Sequence, residues 1–149
     1  FKIRKLGEKM KERKLFVLSC AIVLAVAAMI FCFSTGSFSA AATGRVLGSF
    51  NHVGRKIAHM SEYALLFLVL RFTLAKFMTG YKAASVVLLS LALCTLFAAS
   101  DEWHQSFVPN RTPSIGDVMY DTAGALIAAS LYCGYRFVCA KERKCVSKG

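Results

Sequence analysis

The chain has 149 residues, of which 56% are hydrophobic, and its formal net charge is +11. A soluble domain of this length does not need so much apolar sequence, and the mean hydropathy of +0.53 instead indicates a membrane protein. The basic residues come without the interleaved aromatic residues of a nucleic-acid-binding module, and the six cysteines show no CxxC or zinc-site spacing. The composition therefore argues against a nucleic-acid partner, a disulfide framework and a structural zinc site.

Four apolar segments are long enough to cross a bilayer as helices, which takes about 20 residues each. The predicted helices cover residues 15–33, 57–78, 83–105 and 114–140. The first segment carries no charge and is longer than the apolar core of a usual signal peptide, so we interpret it as a retained span. We expect an all-α, polytopic membrane protein with a four-transmembrane-helix bundle. Its single membrane domain, residues 15–140, lies between a basic segment, residues 1–14, and a basic tail, residues 141–149.

The basic residues are distributed unevenly. All but four lie in the N-terminal segment, around the connection between the second and third helices, or near the C-terminus; the exceptions are Arg45, Arg55, Lys56 and Arg111. Because loops rich in Lys and Arg stay in the cytoplasm, this bias predicts cytoplasmic termini and external first and third loops. We interpret the basic flanks as topology signals that also contact anionic lipid, and we expect Arg71 to extend toward the cytoplasmic interface.

The start of the second helix is polar. The loop before it, residues 34–44, is rich in Ser, Gly and Ala, and the apolar residues of segment 46–57 recur at helical spacing. That segment is either a short interfacial helix or an ordinary loop. His59, Glu62 and Tyr63 follow at i, i+3 and i+4, so they share one face. Glu62 lies about 8 Å inside the helix at a rise of 1.5 Å per residue, which is deep enough to need a partner.

The third and fourth helices enclose the most polar stretch of the chain, residues 100–121. Half of the eight acidic residues lie there. These are Asp101, Glu102, Asp117 and Asp121. Ser114 and Asp117 fit a capping box that starts the fourth helix, and Gly124 with its alanine neighbours allows close helix packing. Ionisable groups beside a bilayer are costly unless paired, so we interpret this stretch as a functional site.

The predicted topology brings the polar ends of the second, third and fourth helices to one extracytoplasmic cluster. Its candidate acid–base groups are Glu62, His59, Asp101, Glu102 and Asp121. Its candidate ligand-binding groups are Arg111, Lys56, Arg55, Gln105, Tyr63 and Asp117.

Several of these residues also have a purely structural interpretation. Asp117 is explained equally well as a helix cap. His59 and Glu62 could be a hydrogen-bonded pair that holds two helices together, and Asp101 could face water at the membrane edge. Asp121 lies one turn below Asp117, where it cannot serve as a cap, so Asp121 and Glu62 are the strongest site candidates.

The cluster offers two kinds of chemistry. Carboxyl groups beside a histidine can act as general acid and base. Cations such as Arg111 and Lys56 can hold a phosphate or a carboxylate, although Arg111 could instead pair with Asp101 or Glu102. The carboxyl and imidazole groups are also compatible with a divalent metal, but their spacing matches no metal motif, so we predict no cofactor and leave a metal as an alternative.

Three ordered motifs between residues 45 and 130 resemble those of the VanZ-like family of small bacterial membrane proteins. They are RKxxHxxEY at 55–63, SDExHQxFVPxR at 100–111 and DVxxDxxG at 117–124. The chain departs from the pattern at Asn110, where the family often has Gly, but Asn also tolerates a left-handed turn. The family is named after a protein that confers low-level resistance to teicoplanin, a lipoglycopeptide antibiotic. The resemblance therefore implies the bacterial plasma membrane and a link to the cell envelope.

We therefore expect a cell-envelope protein whose outer polar pocket binds an anionic amphiphile, with action on that ligand left open. Candidate ligands are a lipid-linked wall precursor, a phospholipid or a lipoglycopeptide antibiotic. The other expected partners are membrane lipids and a second copy of the chain. Two alternatives remain: a proton-coupled transporter or exporter, since intramembrane Glu and Asp are typical of proton relays, and a structural membrane protein without catalysis.

Overall fold

The computed structural model describes residues 2–34, 51–107 and 113–146, and these residues form four helices and no strand. The helices are α1 (Lys2–Ser34), α2 (Asn51–Phe77), α3 (Ala83–Gln105) and α4 (Ile115–Val146). Each contains a stretch that is long and apolar enough to cross a membrane. The predicted all-α fold with four candidate membrane spans is therefore confirmed.

Three helices are longer than the sequence predicted, and one of them is α2, which begins at Asn51 rather than at residue 57. α1 begins at Lys2 rather than at residue 15, and α4 continues to Val146 rather than ending at residue 140. Both extensions are rich in Lys, Arg and Glu, which are good helix formers, so the helices continue beyond their apolar spans. The predicted interfacial segment 46–57 lies partly outside the described residues, and its described part is the first two turns of α2.

The order of the helices in space follows from their contacts. α2 and α4 share the most extensive interface, α1 packs on α2, and α3 packs on both α2 and α4. α2 and α4 are parallel neighbours, because each begins at the end of the bundle where α1 and α3 finish. We call this end, with Ser34, Lys56 and Gln105, the polar end. The opposite end, where the ring of Phe16 stacks on that of Phe77 at 5.7 Å, is called the basic end.

The backbone of α4 approaches that of α2 closely at Gly124. A Cβ atom on Gly124 would overlap the carbonyl oxygen of Met60 and would lie 2.8 Å from the Met60 Cα. Ala125 and Ala128 are buried on the same side of α4. Small residues let two backbones come this close, so the close packing predicted around Gly124 is confirmed.

The bundle has a small apolar core and a large apolar exterior. The core fills the middle of the bundle, below the polar end, and includes Ile30, Leu66, Phe67 and Cys94. Every described helix also leaves large apolar side chains exposed, including Leu24, Phe72, Leu88 and Leu131. Lipid tails can cover such surfaces, whereas water would make them costly.

Candidate functional site

All four helices contribute side chains to the polar end. α1 supplies its last residue, α2 its first four turns, α3 its last turn and α4 its first two turns. The described members are Ser34, Lys56, His59, Glu62, Tyr63, Asp101, Glu102, Gln105, Ser114, Asp117 and Asp121. The structure therefore brings together the three sequence segments that motivated the site, and it adds Ser34.

Asp101 lies at the centre of this arrangement. Its side chain is 1% exposed, and its Oδ2 accepts hydrogen bonds from the Ser34 Oγ at 2.7 Å and the Gln105 Nε2 at 2.9 Å. The interpretation of Asp101 as a water-facing carboxylate is wrong. Asp101 continues the buried stripe of Cys94 and Ala98 at positions i, i+4 and i+7, so the rotation of α3 turns it inward.

Glu102 joins α3 to the start of α4. Its Oε1 accepts a hydrogen bond from the backbone N–H of Ser114 at 2.6 Å. The Ser114 Oγ accepts one from the N–H of Gly116 at 3.1 Å, as an N-cap side chain does. The predicted capping box is thus only half formed: the N–H that Asp117 would accept in such a box is donated to Glu102 instead.

Asp117 instead faces Lys56 at the rim of the site. The Lys56 Nζ lies 3.8 Å from the Asp117 Oδ1, and these side chains are 31% and 43% exposed. The same Nζ lies 3.9 Å from the centroid of the Tyr120 ring. Asp117 is therefore an ion-pair partner between α2 and α4 rather than a cap of its own helix.

His59 and Glu62 form a contact within α2. The His59 Nδ1 lies 3.5 Å from the Glu62 Oε2, and both side chains are largely buried. Because both residues belong to one helix, this contact does not hold two helices together as the structural interpretation proposed. The next residue, Tyr63, is fully buried, and its hydroxyl makes no hydrogen bond within the described part of the chain.

Asp121 lies one turn further into α4 and is only 6% exposed. Its carboxyl group is close enough to four others to interact with them electrostatically; these belong to Asp101, Asp117, Glu102 and Glu62. Against these five carboxyl groups, the described cations are Lys56 and Arg55, both half-buried on α2. Arg111, the third predicted cation, lies outside the described residues.

Three buried oxygen atoms of the cluster make no hydrogen bond within the described residues. They are the Asp101 Oδ1, the Glu62 Oε2 and the Tyr63 Oη. A buried polar atom left without a hydrogen bond costs about 1–3 kcal/mol, so each of these atoms favours an additional partner. In the described ranges, no three His, Cys, Asp or Glu side chains converge in an arrangement that could hold a metal ion.

The likeness in sequence extends well beyond the three motifs. Residues 16–138 match the model of the VanZ/LLP1 family, which covers the apolar part of every described helix and the whole polar end. The chain belongs to the VanZ/LLP1 family. With its four helices able to span a membrane, it is a VanZ-like multi-pass membrane protein. Neither a curated protein nor a solved structure matches it.

Sequence reasoning missed two elements of the site in this VanZ-like protein. Ser34, predicted to lie in the loop after the first helix, is instead the buried last residue of α1 and bonds to Asp101. A serine after an apolar run carries no sequence signal of that role. Ser114 was recognised as a helix start, whereas its hydrogen bond to Glu102 depends on how α3 and α4 meet. The burial of Asp101 could have been found, because its spacing from Cys94 and Ala98 is helical.

Proposed function

We propose that the polar end of this VanZ-like protein binds the headgroup of an anionic amphiphile. The observation that carries the proposal is Asp101: a carboxylate 1% exposed at the end of a membrane-spanning helix, with one oxygen lacking a hydrogen bond within the described residues. That Asp101 oxygen can accept a hydrogen bond from a hydroxyl or amine group of a ligand.

The chemistry of the cluster sets what such a headgroup must offer. Lys56 stands partly exposed at the rim, where it can face a phosphate or carboxylate while keeping its contact with Asp117. Deeper in the bundle, the Asp101 Oδ1 and the Glu62 Oε2, which make no hydrogen bond within the described residues, can accept hydrogens from a ligand. A lipid-linked wall precursor, a phospholipid with a hydroxylated headgroup and a lipoglycopeptide each combine an anion with such donors. Arg55 and Arg111 are further cations for the anion.

We infer that the polar end faces the outer side of the bacterial plasma membrane and that both termini lie in the cytoplasm. The support is the charge bias along the chain, since the basic end carries most of the Lys and Arg residues. If the protein acts on its ligand, Glu62 beside His59 is the acid–base pair suited to transfer at a lipid phosphate or a glycosyl centre.

Ligand binding can be tested on the purified full chain in nanodiscs of phosphatidylcholine. The probes are a polyprenyl-phosphate-linked sugar, phosphatidylglycerol and teicoplanin, with binding measured by saturation of the labelled probe. We expect saturable binding of at least one probe, and Lys56→Gln should weaken it about tenfold through loss of a charge-assisted contact. Lys82→Gln, an exposed lysine at the basic end, is the matched control and should bind as the wild type does. The absence of saturable binding to all three probes would refute the proposal.

A structural role is the second candidate, because two hydrogen bonds of the cluster tie helices together. Ser34 joins α1 to α3 through Asp101, and Glu102 joins α3 to α4 through Ser114. Glu62→Gln and Asp121→Asn separate the two functions. Variants that stay folded but lose binding indicate a site, whereas variants that lose stability in detergent but keep binding in the membrane indicate architecture.

The transporter alternative is less well supported. Below the cluster, the interior of the bundle is filled by Leu66, Phe67 and Ala125. Among the described residues, the interior toward the basic end holds no buried carboxylate, and its buried hydroxyls on α2 and α3, Thr73 and Ser90, each donate to a backbone carbonyl of their own helix.

A further inference from the structure

A second polar cluster lies at the basic end, on the other side of the apolar core. The guanidinium of Arg71 on α2 lies over the ring of Tyr132 on α4, with its Cζ 3.9 Å from the ring centroid. The Nη1 of Arg136, one turn further along α4, donates a hydrogen bond of 3.4 Å to the Tyr132 hydroxyl. One tyrosine thus holds two guanidinium groups on the same side of the α2–α4 interface.

Neither guanidinium is neutralised by a carboxylate in the described part of the chain. The contacts of Arg71 and Arg136 are those with Tyr132, and the Nε of Arg71 is buried without a hydrogen bond there. Arg71 lies six residues before the end of α2, which is about 9 Å inside the helix at 1.5 Å per residue. Extension of the side chain toward the interface leaves this buried Nε without a hydrogen bond within the described residues, and a cation–π contact supplies only part of the compensation, so the site favours an anion.

The surroundings of this pair indicate where the anion comes from. Phe72, next to Arg71, and Leu131, next to Tyr132, are both large apolar side chains that stay exposed on the outside of the bundle. A ligand at the two arginines would therefore have its charged group against the guanidiniums and its apolar part along the lipid-facing surface. Arginine donates bidentate hydrogen bonds to phosphate oxygens, which suits a phosphodiester better than a point charge.

We propose that Arg71 and Arg136, held together by Tyr132, bind the phosphate of an anionic phospholipid at the α2–α4 interface of the basic end. This site lies at the opposite end of the bundle from the proposed amphiphile pocket, so each can fail independently of the other.

The test is native mass spectrometry of the full chain in a neutral detergent, titrated with phosphatidylglycerol or phosphatidylcholine. We expect the wild type to prefer phosphatidylglycerol, and Arg71→Gln to reduce that preference about tenfold, which corresponds to ~1.4 kcal/mol. Arg136→Gln should reduce it as well. Lys82→Gln is the matched control: Lys82 lies at the same end of the bundle, just before α3, and its side chain is exposed. It should keep the wild-type preference.

Four results would overturn the proposal, two of them from the glutamine variants. One is an Arg71→Gln protein with the wild-type lipid preference, and another is an equal loss in Lys82→Gln, which would show diffuse charge attraction only. If Arg71→Gln does not fold, Arg71→Lys keeps the charge but loses the planar fork, and we expect several-fold weaker phosphatidylglycerol binding. Wild-type binding by Arg71→Lys would contradict the bidentate contact. The last experiment is competition with inorganic phosphate. Displacement of the lipid by millimolar phosphate would indicate a site for a soluble anion instead.

Discussion

The Oγ of Ser34, the last residue of α1, donates a 2.7 Å hydrogen bond to the Oδ2 of Asp101 near the end of α3. The two residues are 67 positions apart in sequence, and both are buried. α1 and α3 also meet through the ring of Phe31, whose centroid lies 5.1 Å from that of Phe97 and 5.3 Å from that of His104. The hydrogen bond attaches the end of α1 to the polar end of the bundle. It also provides the buried Asp101 carboxylate with one of its hydrogen-bond donors.

Replacing Ser34 with alanine tests that bond. Ser34→Ala removes one of two donors to a buried carboxylate, and we expect the free energy of unfolding to fall by about 1–3 kcal/mol. Ser61→Ala is the matched control, because Ser61 is exposed and its Oγ bonds only to the Ile57 carbonyl of its own helix. The measurement is thermal unfolding in detergent, and equal midpoints for the two variants would contradict the role given to Ser34.

The close approach of Gly124 to the Met60 backbone predicts that α4 tolerates no larger side chain at position 124. Gly124→Ala places a methyl group against the Met60 backbone, so α2 and α4 must separate. Overpacking of this kind costs about 1–3 kcal/mol. Gly134→Ala is the control, since a Cβ there meets nothing within 4 Å. We expect chemical or thermal denaturation to show a clear loss for the first variant and none for the second; a stable Gly124→Ala protein would argue against this helix approach.

The hydrogen bond from Ser114 to Glu102 predicts that the start of α4 depends on α3. Glu102→Ala leaves the Ser114 N–H without this acceptor, whereas Glu102→Gln retains a side-chain oxygen that can accept it. We expect hydrogen exchange in the first turn of α4 to quicken in the alanine variant and to change much less in the glutamine variant. Identical exchange in the two variants would mean that this acceptor does not hold the turn.

The Lys56–Asp117 pair predicts that stability and binding can be separated. Both side chains are substantially exposed, and ion pairs of this kind contribute about 0–1 kcal/mol to stability. Lys56→Gln should therefore unfold at nearly the wild-type temperature while binding the proposed amphiphile more weakly. A large drop in the unfolding midpoint would instead assign Lys56 to the fold.

The proposed orientation predicts which side of the membrane each end of the bundle faces. Cys145 lies at the basic end and is exposed, and Ser106 lies just past α3 at the polar end, also exposed. The test uses a chain whose native cysteines are replaced by serine, because Cys32 and Cys133 are exposed too. In intact cells, a membrane-impermeant maleimide should label this chain once it carries Ser106→Cys, and should label a variant that keeps only Cys145 after the cells are opened but not before. The reverse pattern would invert the topology and place the polar end inside.

Much of the fold could be predicted because membrane spans are encoded locally. A run of about 20 apolar residues identifies a span without knowledge of its neighbours, and this placed all four helices. The helix ends were less accurate, since the charged turns before residue 15 are also good helix formers and carry no apolar signal. Gly124 was identified correctly because a small residue among alanines in a span has few other uses.

The sequence by itself determined the number of spans, the gathering of three polar motifs at one end and membership of the VanZ/LLP1 family. Only the tertiary structure decided which side chains contact one another. Asp101 proved to be buried and bonded to Ser34, Asp117 to be paired with Lys56, and Arg71 to lie over Tyr132. The physical reason is that hydropathy and spacing fix which residues share a helix and a face. The rotation and relative height of packed helices depend on contacts between side chains far apart in the chain, and those fix which faces meet.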